Sequence, residues 1–171
     1  MDRRTFLRTA GAGCAAALTG CRTISGHTGS NRFPHIVYIL ADDMGYGDPS
    51  CLNPESKIPT PNMDRVCREG VTFTDAHSGS AVCTPTRYGI MTGRYSWRTH
   101  LKSGVLYSPS PPLIAPDRLT VATLLKNAGY RTACIGKWHL GLGWATTDGQ
   151  EPTPMNLDYG KPIADGPCTH G

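Results

Sequence analysis

Apolar residues fall into three short runs and three helix-like stretches, and their order predicts the architecture. His35-Ile36-Val37-Tyr38-Ile39-Leu40 is a continuous apolar and β-branched run. Such a run predicts a strand buried on both faces, as in a parallel sheet. Thr60-Pro61 then predicts a helix start, with Thr60 as N-cap and Pro61 at the first helical position. Met63, Val66 and Cys67 give that helix an apolar stripe, and Gly70 supplies its stop. Val71-Thr72-Phe73-Thr74 reads as a short strand and Pro85 to Thr92 as a helix. Residues 103–118 are rich in Ser and Pro and predict a loop. Thr120 to Ala128 predicts a further helix, capped by Thr120, with Val121, Leu124, Leu125 and Ala128 on one face. Gly129 ends it, and Tyr130 to Ile135 is the third strand. Only loop signals follow Trp144, and no internal repeat is visible. Strand and helix in alternation argue an α/β fold with a mainly parallel sheet flanked by helices.

Composition narrows this picture little. A chain of 171 residues, 39% hydrophobic, suits one domain with a real core. The 20 glycines and 14 prolines suggest long ordered loops rather than disorder. The net charge of +4 is mild, and no charge run is long enough to suggest a nucleic-acid partner.

The first residues change the picture more. Arg3-Arg4-Thr5-Phe6-Leu7-Arg8 looks like a twin-arginine export signal. The apolar stretch from Ala10 to Gly20 is too short and glycine-rich to span a bilayer comfortably. Leu18-Thr19-Gly20-Cys21 resembles a bacterial lipobox. On that reading residues 1–20 are a signal peptide, Cys21 is lipidated and anchors the protein to a membrane, and residues 21–32 are a flexible tether. The competing reading is an ordinary signal peptide with an incidental cysteine. The expected localisation is the periplasm or cell surface, with the twin-arginine translocase as a partner. Without residues 1–20 the chain keeps 14 basic and 12 acidic residues, a net charge of +2. Cys51, Cys67, Cys83, Cys134 and Cys168 remain; they show no C-x-x-C spacing, so a zinc site is not expected, and spacing alone does not pair them.

Three polar clusters sit at the ends of elements. Asp42 and Asp43 follow the first strand. Adjacent carboxylates suit a hard divalent cation, and without one they repel. They also suit a turn or a helix cap, which is the reading given to Asp48. Lys137 and His139 follow the third strand; strand alternation would point both to one side, Lys137 for an anion and His139 for a proton. A solvated lysine and a packed histidine are the plainer reading. Cys83 lies at the start of the Pro85–Thr92 helix, where free N–H groups favour negative charge, and Arg87 lies one turn on. That position suits a reactive thiolate or a buried structural cysteine.

These clusters carry a family resemblance. Cys83-Thr84-Pro85-Thr86-Arg87, continued by Met91-Thr92-Gly93-Arg94, resembles the C-x-P-x-R signature of the type I, formylglycine-dependent sulfatases. Gly129-Tyr130-Arg131-Thr132-Ala133-Cys134-Ile135-Gly136-Lys137-Trp138-His139 resembles their second signature, and the first strand with ADDMGYGD their usual start. The resemblance runs from Phe33 to the end of the chain.

The resemblance implies an alkaline-phosphatase-like sulfatase fold, with residues 33–171 as the N-terminal part of an incomplete catalytic domain. It implies that a formylglycine-generating, sulfatase-maturating enzyme oxidises Cys83 to formylglycine. The hydrated aldehyde then attacks the sulfur of a sulfate ester, and its second hydroxyl lets sulfate be expelled. Asp42, Asp43 and the modified Cys83 are implied ligands of Ca²⁺ or Mg²⁺. Arg87 is implied to hold the hydrated aldehyde, Lys137 to contact it and the sulfate, and His139 to take a proton. The implied substrate is a sulfated carbohydrate or an aryl sulfate. Twin-arginine export of a folded chain would place the modification in the cytoplasm. The family's later metal ligands and sulfate-binding residues have no counterpart here, so these residues alone are expected to be inactive, with an exposed sheet edge. The alternatives are a phosphonate or phosphate-ester hydrolase of the same superfamily, and a non-catalytic truncated surface lipoprotein.

Overall fold

A computed structural model describes residues 33–171. The signal peptide, the tether and Cys21 therefore lie outside the described residues. The chain divides into two units, residues 1–37 and 38–171, and the second holds every helix found among the described residues.

Three helices form where the pattern placed them. Helix α1 spans Pro61–Glu69 with proline in its first turn, and Gly70 ends it. Thr60 does not cap it through its side chain. The Thr60 hydroxyl instead donates to Asp64 Oδ1 at 3.0 Å and accepts from the Ser50 N–H at 2.9 Å. Asp64 also accepts from the Ser50 hydroxyl at 2.8 Å and the Cys51 N–H at 3.0 Å, so one carboxylate ties the preceding loop to α1. A disulfide between Cys51 and Cys67, with Cα atoms 6.6 Å apart, fastens the same loop again. The stripe expected on α1 is not buried: Val66 is 66% exposed. The disulfide and the Asp64 bonds, rather than apolar packing, join this helix to its loop.

Helix α2 spans Cys83–Thr92 and ends at Gly93, whose φ of 66° suits glycine. Helix α3 spans Val121–Asn127, and here the expected cap forms: the Thr120 hydroxyl accepts from the Thr123 N–H at 3.0 Å. The core gathers on α2, with Tyr88, Leu106, Leu113, Ile114 and Leu140 buried together and Met91, Leu101 and Trp138 packed against them. Each such buried aliphatic side chain contributes about 2 kcal/mol by burial. Two loop segments lie side by side within this core. The Leu113 N–H donates to the Leu140 carbonyl at 2.9 Å and the Leu142 N–H to the Ser110 carbonyl at 3.1 Å. Their approach is so close that Gly141, at φ 77°, has no room for a Cβ against the Pro111 carbonyl.

The strands depart from expectation. Among the described residues no ladder forms; the one recorded pairing is an isolated antiparallel bridge between Thr146 and Leu157. Val37, Ile39, Phe73 and Ile135 are 81%, 86%, 76% and 96% exposed. Burial on both faces, expected for His35–Leu40, is therefore not realised. An apolar strand face is covered only when hydrogen-bonded neighbours and a second layer are set against it. Among the described residues no helix is long and apolar enough to cross a membrane.

Candidate active site

Cys83 is the first residue of α2, after extended Val82. Its thiol is free and half-buried. The helix directs unpaired backbone N–H groups toward that end, an environment that favours negative charge. Next to it Thr84 is fully buried. Its hydroxyl donates to the His139 carbonyl at 3.0 Å and accepts from the Leu106 N–H at 3.2 Å. One side chain thus joins the start of α2 to two distant loops.

One turn on, Arg87 reaches across the fold. One guanidinium nitrogen donates to the Lys137 carbonyl at 2.5 Å, the other to Asp42 Oδ1 at 3.1 Å. The Lys137 ammonium takes the second Asp42 oxygen at 2.7 Å. Asp42 therefore lies between two cations contributed by chain segments 45 and 95 residues away. The hydrogen bond from Lys137, then that from Arg87, holds its carboxyl below the usual aspartate range, with burial opposing and the charges of Lys137 and Arg87 adding to the fall. The bond to Asp42 likewise raises the Lys137 ammonium, desolvation opposes it, and the charges of Asp42 and Cys83 add to the rise while Arg87 subtracts.

Lys137 and His139 do not share a side by strand alternation. The backbone turns through positive φ at Gly136 (100°) and His139 (56°). While Lys137 turns to Asp42, the His139 ring sets Nε2 2.8 Å from the Leu106 carbonyl. Its Nδ1 is buried and has no hydrogen-bond partner among the described residues, so one ring nitrogen is anchored and the other is enclosed and unpaired. Beside it lies a cavity of about 170 Å³ lined by Leu106, Tyr107, Trp138, His139 and Trp144 among others.

Asp43, at φ 55° and exposed, makes no hydrogen bond or ion pair among the described residues. Its carboxylate and that of Asp42 are oxygen donors of the kind a hard cation takes. They fit such an ion in type but not in number. Among the described residues no group of three His, Cys, Asp or Glu side chains is gathered to hold a metal, and Asp42 is already shared by two cations.

The residues singled out in the sequence thus assemble in part. Asp42, Arg87 and Lys137 form one ion-paired cluster, Cys83 lies one helical turn before Arg87, and His139 is linked to the start of α2 through Thr84. Asp43 adjoins the cluster without contacting it. Thr84 and Leu106 were not foreseen; a threonine between Cys83 and Pro85 carries no signal that distinguishes it from a spacer.

Comparison with known proteins identifies the family. The sulfatase family model matches residues 34–166. The chain belongs to the sulfatase family. It is 45% identical over 130 residues to an N-acetylgalactosamine-6-O-sulfatase of Bacteroides thetaiotaomicron, covering 75% of this chain and 25% of that protein. Human steryl-sulfatase is 46% identical over 114 residues, covering 64% of this chain and 19% of the relative. Human arylsulfatase A is 43% identical over 112 residues, covering 66% and 22%. A solved sulfatase structure, described under glycosaminoglycan metabolism by Bacteroides thetaiotaomicron, superposes with a TM-score of 0.67 at 40% identity over 80% of this chain and 26% of its own. The α/β sulfatase fold is therefore that of this chain, although no sheet ladder is formed among the described residues. The chain spans about a quarter or less of the length of these relatives.

Proposed function

We propose that the protein is a sulfuric ester hydrolase, arylsulfatase-like, whose nucleophile is made from Cys83. The observation that carries this reading is the placement of Cys83 at the N-terminus of α2, beside the Asp42–Arg87–Lys137 cluster. A formylglycine at position 83 supplies an oxygen nucleophile, and a bound Ca²⁺ or Mg²⁺ supplies Lewis-acid polarisation. Asp42 and Asp43 would offer two oxygens toward such a cation.

The chain's own residues then have separable tasks. Arg87 fixes the loop that carries Lys137 and the position of Asp42, so that the groups facing Cys83 are set before substrate arrives. Lys137, kept protonated by Asp42, neutralises anionic charge next to Cys83. His139, its ring held by the Leu106 carbonyl at Nε2, is the residue that exchanges a proton. The cavity beside His139 receives the organic part of the ester.

The substrate class is a sulfated carbohydrate or an aryl sulfate. The maturation partner is a formylglycine-generating enzyme. Export by the twin-arginine route and a lipid anchor on Cys21 would put the activity in the periplasm or at the cell surface.

Mass mapping of the Cys83 peptide, from protein made in its native host, tests the reading. Conversion to formylglycine removes about 18 Da. An unmodified thiol, with no turnover of an aryl sulfate, would shift the assignment to a non-catalytic surface lipoprotein. Faster turnover of the matched aryl phosphate than of the aryl sulfate would make it a phosphate-ester hydrolase.

A further inference from the structure

Past the C-terminal end of α2 lies a second cleft, of about 450 Å³, to which no role has been given above. Its charged lining is Arg94, Arg98, His100 and Arg118 against a single acid, Asp165. None of these belongs to the Asp42–Arg87–Lys137 cluster. At about 1.5 Å per residue, the ten residues of α2 separate its two ends by about 14 Å. The arginines of the cleft thus follow the far end of α2, while Tyr88, on its middle turn, forms part of the floor.

Among the described residues none of these basic side chains has a carboxylate partner. Arg94 and Arg118 are half-buried, yet neither side chain has an ion pair or a hydrogen bond among the described residues. Arg98 lies over the Trp97 ring at 5.2 Å, without a carboxylate. Asp165 does not neutralise them: its carboxylate accepts from the Thr169 hydroxyl at 2.6 Å and lies 2.8 Å from His170 Nε2. The floor is apolar, with Tyr88, Leu113 and Ile114 buried beneath it. Partly desolvated guanidinium groups over an apolar floor carry an electrostatic cost that a bound anion offsets. The guanidinium fork matches the paired oxygens of a sulfate or phosphate group. The volume falls within the range of ligand sites, about 300–1,000 Å³.

We propose that this cleft holds a sulfate group of a sulfated saccharide chain, one that is bound and not cleaved. The cleft would anchor a polyanionic substrate away from the nucleophile. The choice of a sulfated saccharide rests on the sulfatase reading above; the anion site itself does not.

Calorimetric titration of the full chain carrying Cys83→Ala, which removes turnover and leaves the cleft untouched, tests the proposal. The probes are a chondroitin-sulfate hexasaccharide, its desulfated counterpart and sodium sulfate. The hexasaccharide is expected to bind, with R94Q and R118Q each weakening it about tenfold and R118K recovering part of the loss. H100A, at an exposed position, provides a variant whose fold is not at risk, and it is expected to weaken binding in the same direction. Equal affinity in all the variants, or equal affinity for the desulfated chain, would overturn the proposal. Sodium sulfate binding as tightly as the hexasaccharide would overturn the saccharide assignment. Binding that depends on these arginines, in a protein whose native Cys83 is unmodified, would remove the sulfatase reading and leave the anion site standing.

Discussion

Replacing Thr84 by valine removes one hydroxyl and should disturb three segments at once. Thr84 is fully buried, and its hydroxyl serves both the His139 carbonyl and the Leu106 N–H. Valine keeps the shape and the methyl group, so no large cavity opens. It leaves a buried N–H and a part-buried carbonyl without their partner. Each orphaned group costs about 1–3 kcal/mol; the 3.2 Å bond to Leu106 belongs at the lower end, so the total is about 2–4 kcal/mol. Thr84→Ser keeps the hydroxyl and loses one methyl, at about 1 kcal/mol. Urea unfolding of the three proteins, with free energies from linear extrapolation, compares them directly. The ring resonances of His139 should also shift in T84V, because Leu106 supplies the carbonyl that holds Nε2 at 2.8 Å. A T84V protein within about 0.5 kcal/mol of wild type, or a T84S protein as weakened as T84V, would show that the hydroxyl joins nothing.

Other perturbations follow from the same geometry. Asp64 is held below its ordinary value of 3.8 by the Ser50 hydroxyl first, then by the Thr60 hydroxyl, the Cys51 N–H and the charge of Arg68, with burial opposing. Its folded value lies below its unfolded one, so its contribution is complete above the unfolded value and is lost as pH falls through the folded value. The gap in urea midpoint between wild type and D64N should therefore be steady above about pH 5 and close on acidification. Cys67→Ser opens the Cys51–Cys67 link, of sequence separation 16, and should cost about 3 kcal/mol; wild type treated with reductant should match it in a urea melt. Gly141→Ala should lower the thermal midpoint by pushing the Pro111 carbonyl away, and it should weaken amide-exchange protection at Leu113 and Leu142, whose N–H groups bridge the two segments.

The helices were legible because their signals are local. Pro61 with Gly70, Pro85 with Gly93, and Thr120 before Val121 each mark an end within a few residues, and end effects act at that range. The apolar runs were legible as strands in composition, but a strand is defined by its neighbours, and none is paired with them among the described residues. In the site, the residue types at 42, 87 and 137 were readable. Their mutual pairing was not, because the contacts span 45, 50 and 95 residues. The side on which His139 points depended on positive φ at Gly136 and at His139 itself, and strand alternation could not anticipate it. Thr84 was invisible for a related reason: a hydroxyl gains its role only from the loops that fold onto it.

Arg87 has a consequence in time rather than in space. In the folded chain its side chain is only 13% exposed and both ends of its fork are occupied, one by the Lys137 carbonyl and one by Asp42. A maturing enzyme that reads cysteine, proline and arginine as a linear phrase needs that guanidinium unengaged. On the proposed reading, such an enzyme would have to meet the chain before residues 42 and 137 close over position 87. The arginine would then act twice, first as a letter to be read and later as a bolt. A chain that folds too soon would carry an intact site around an unconverted thiol.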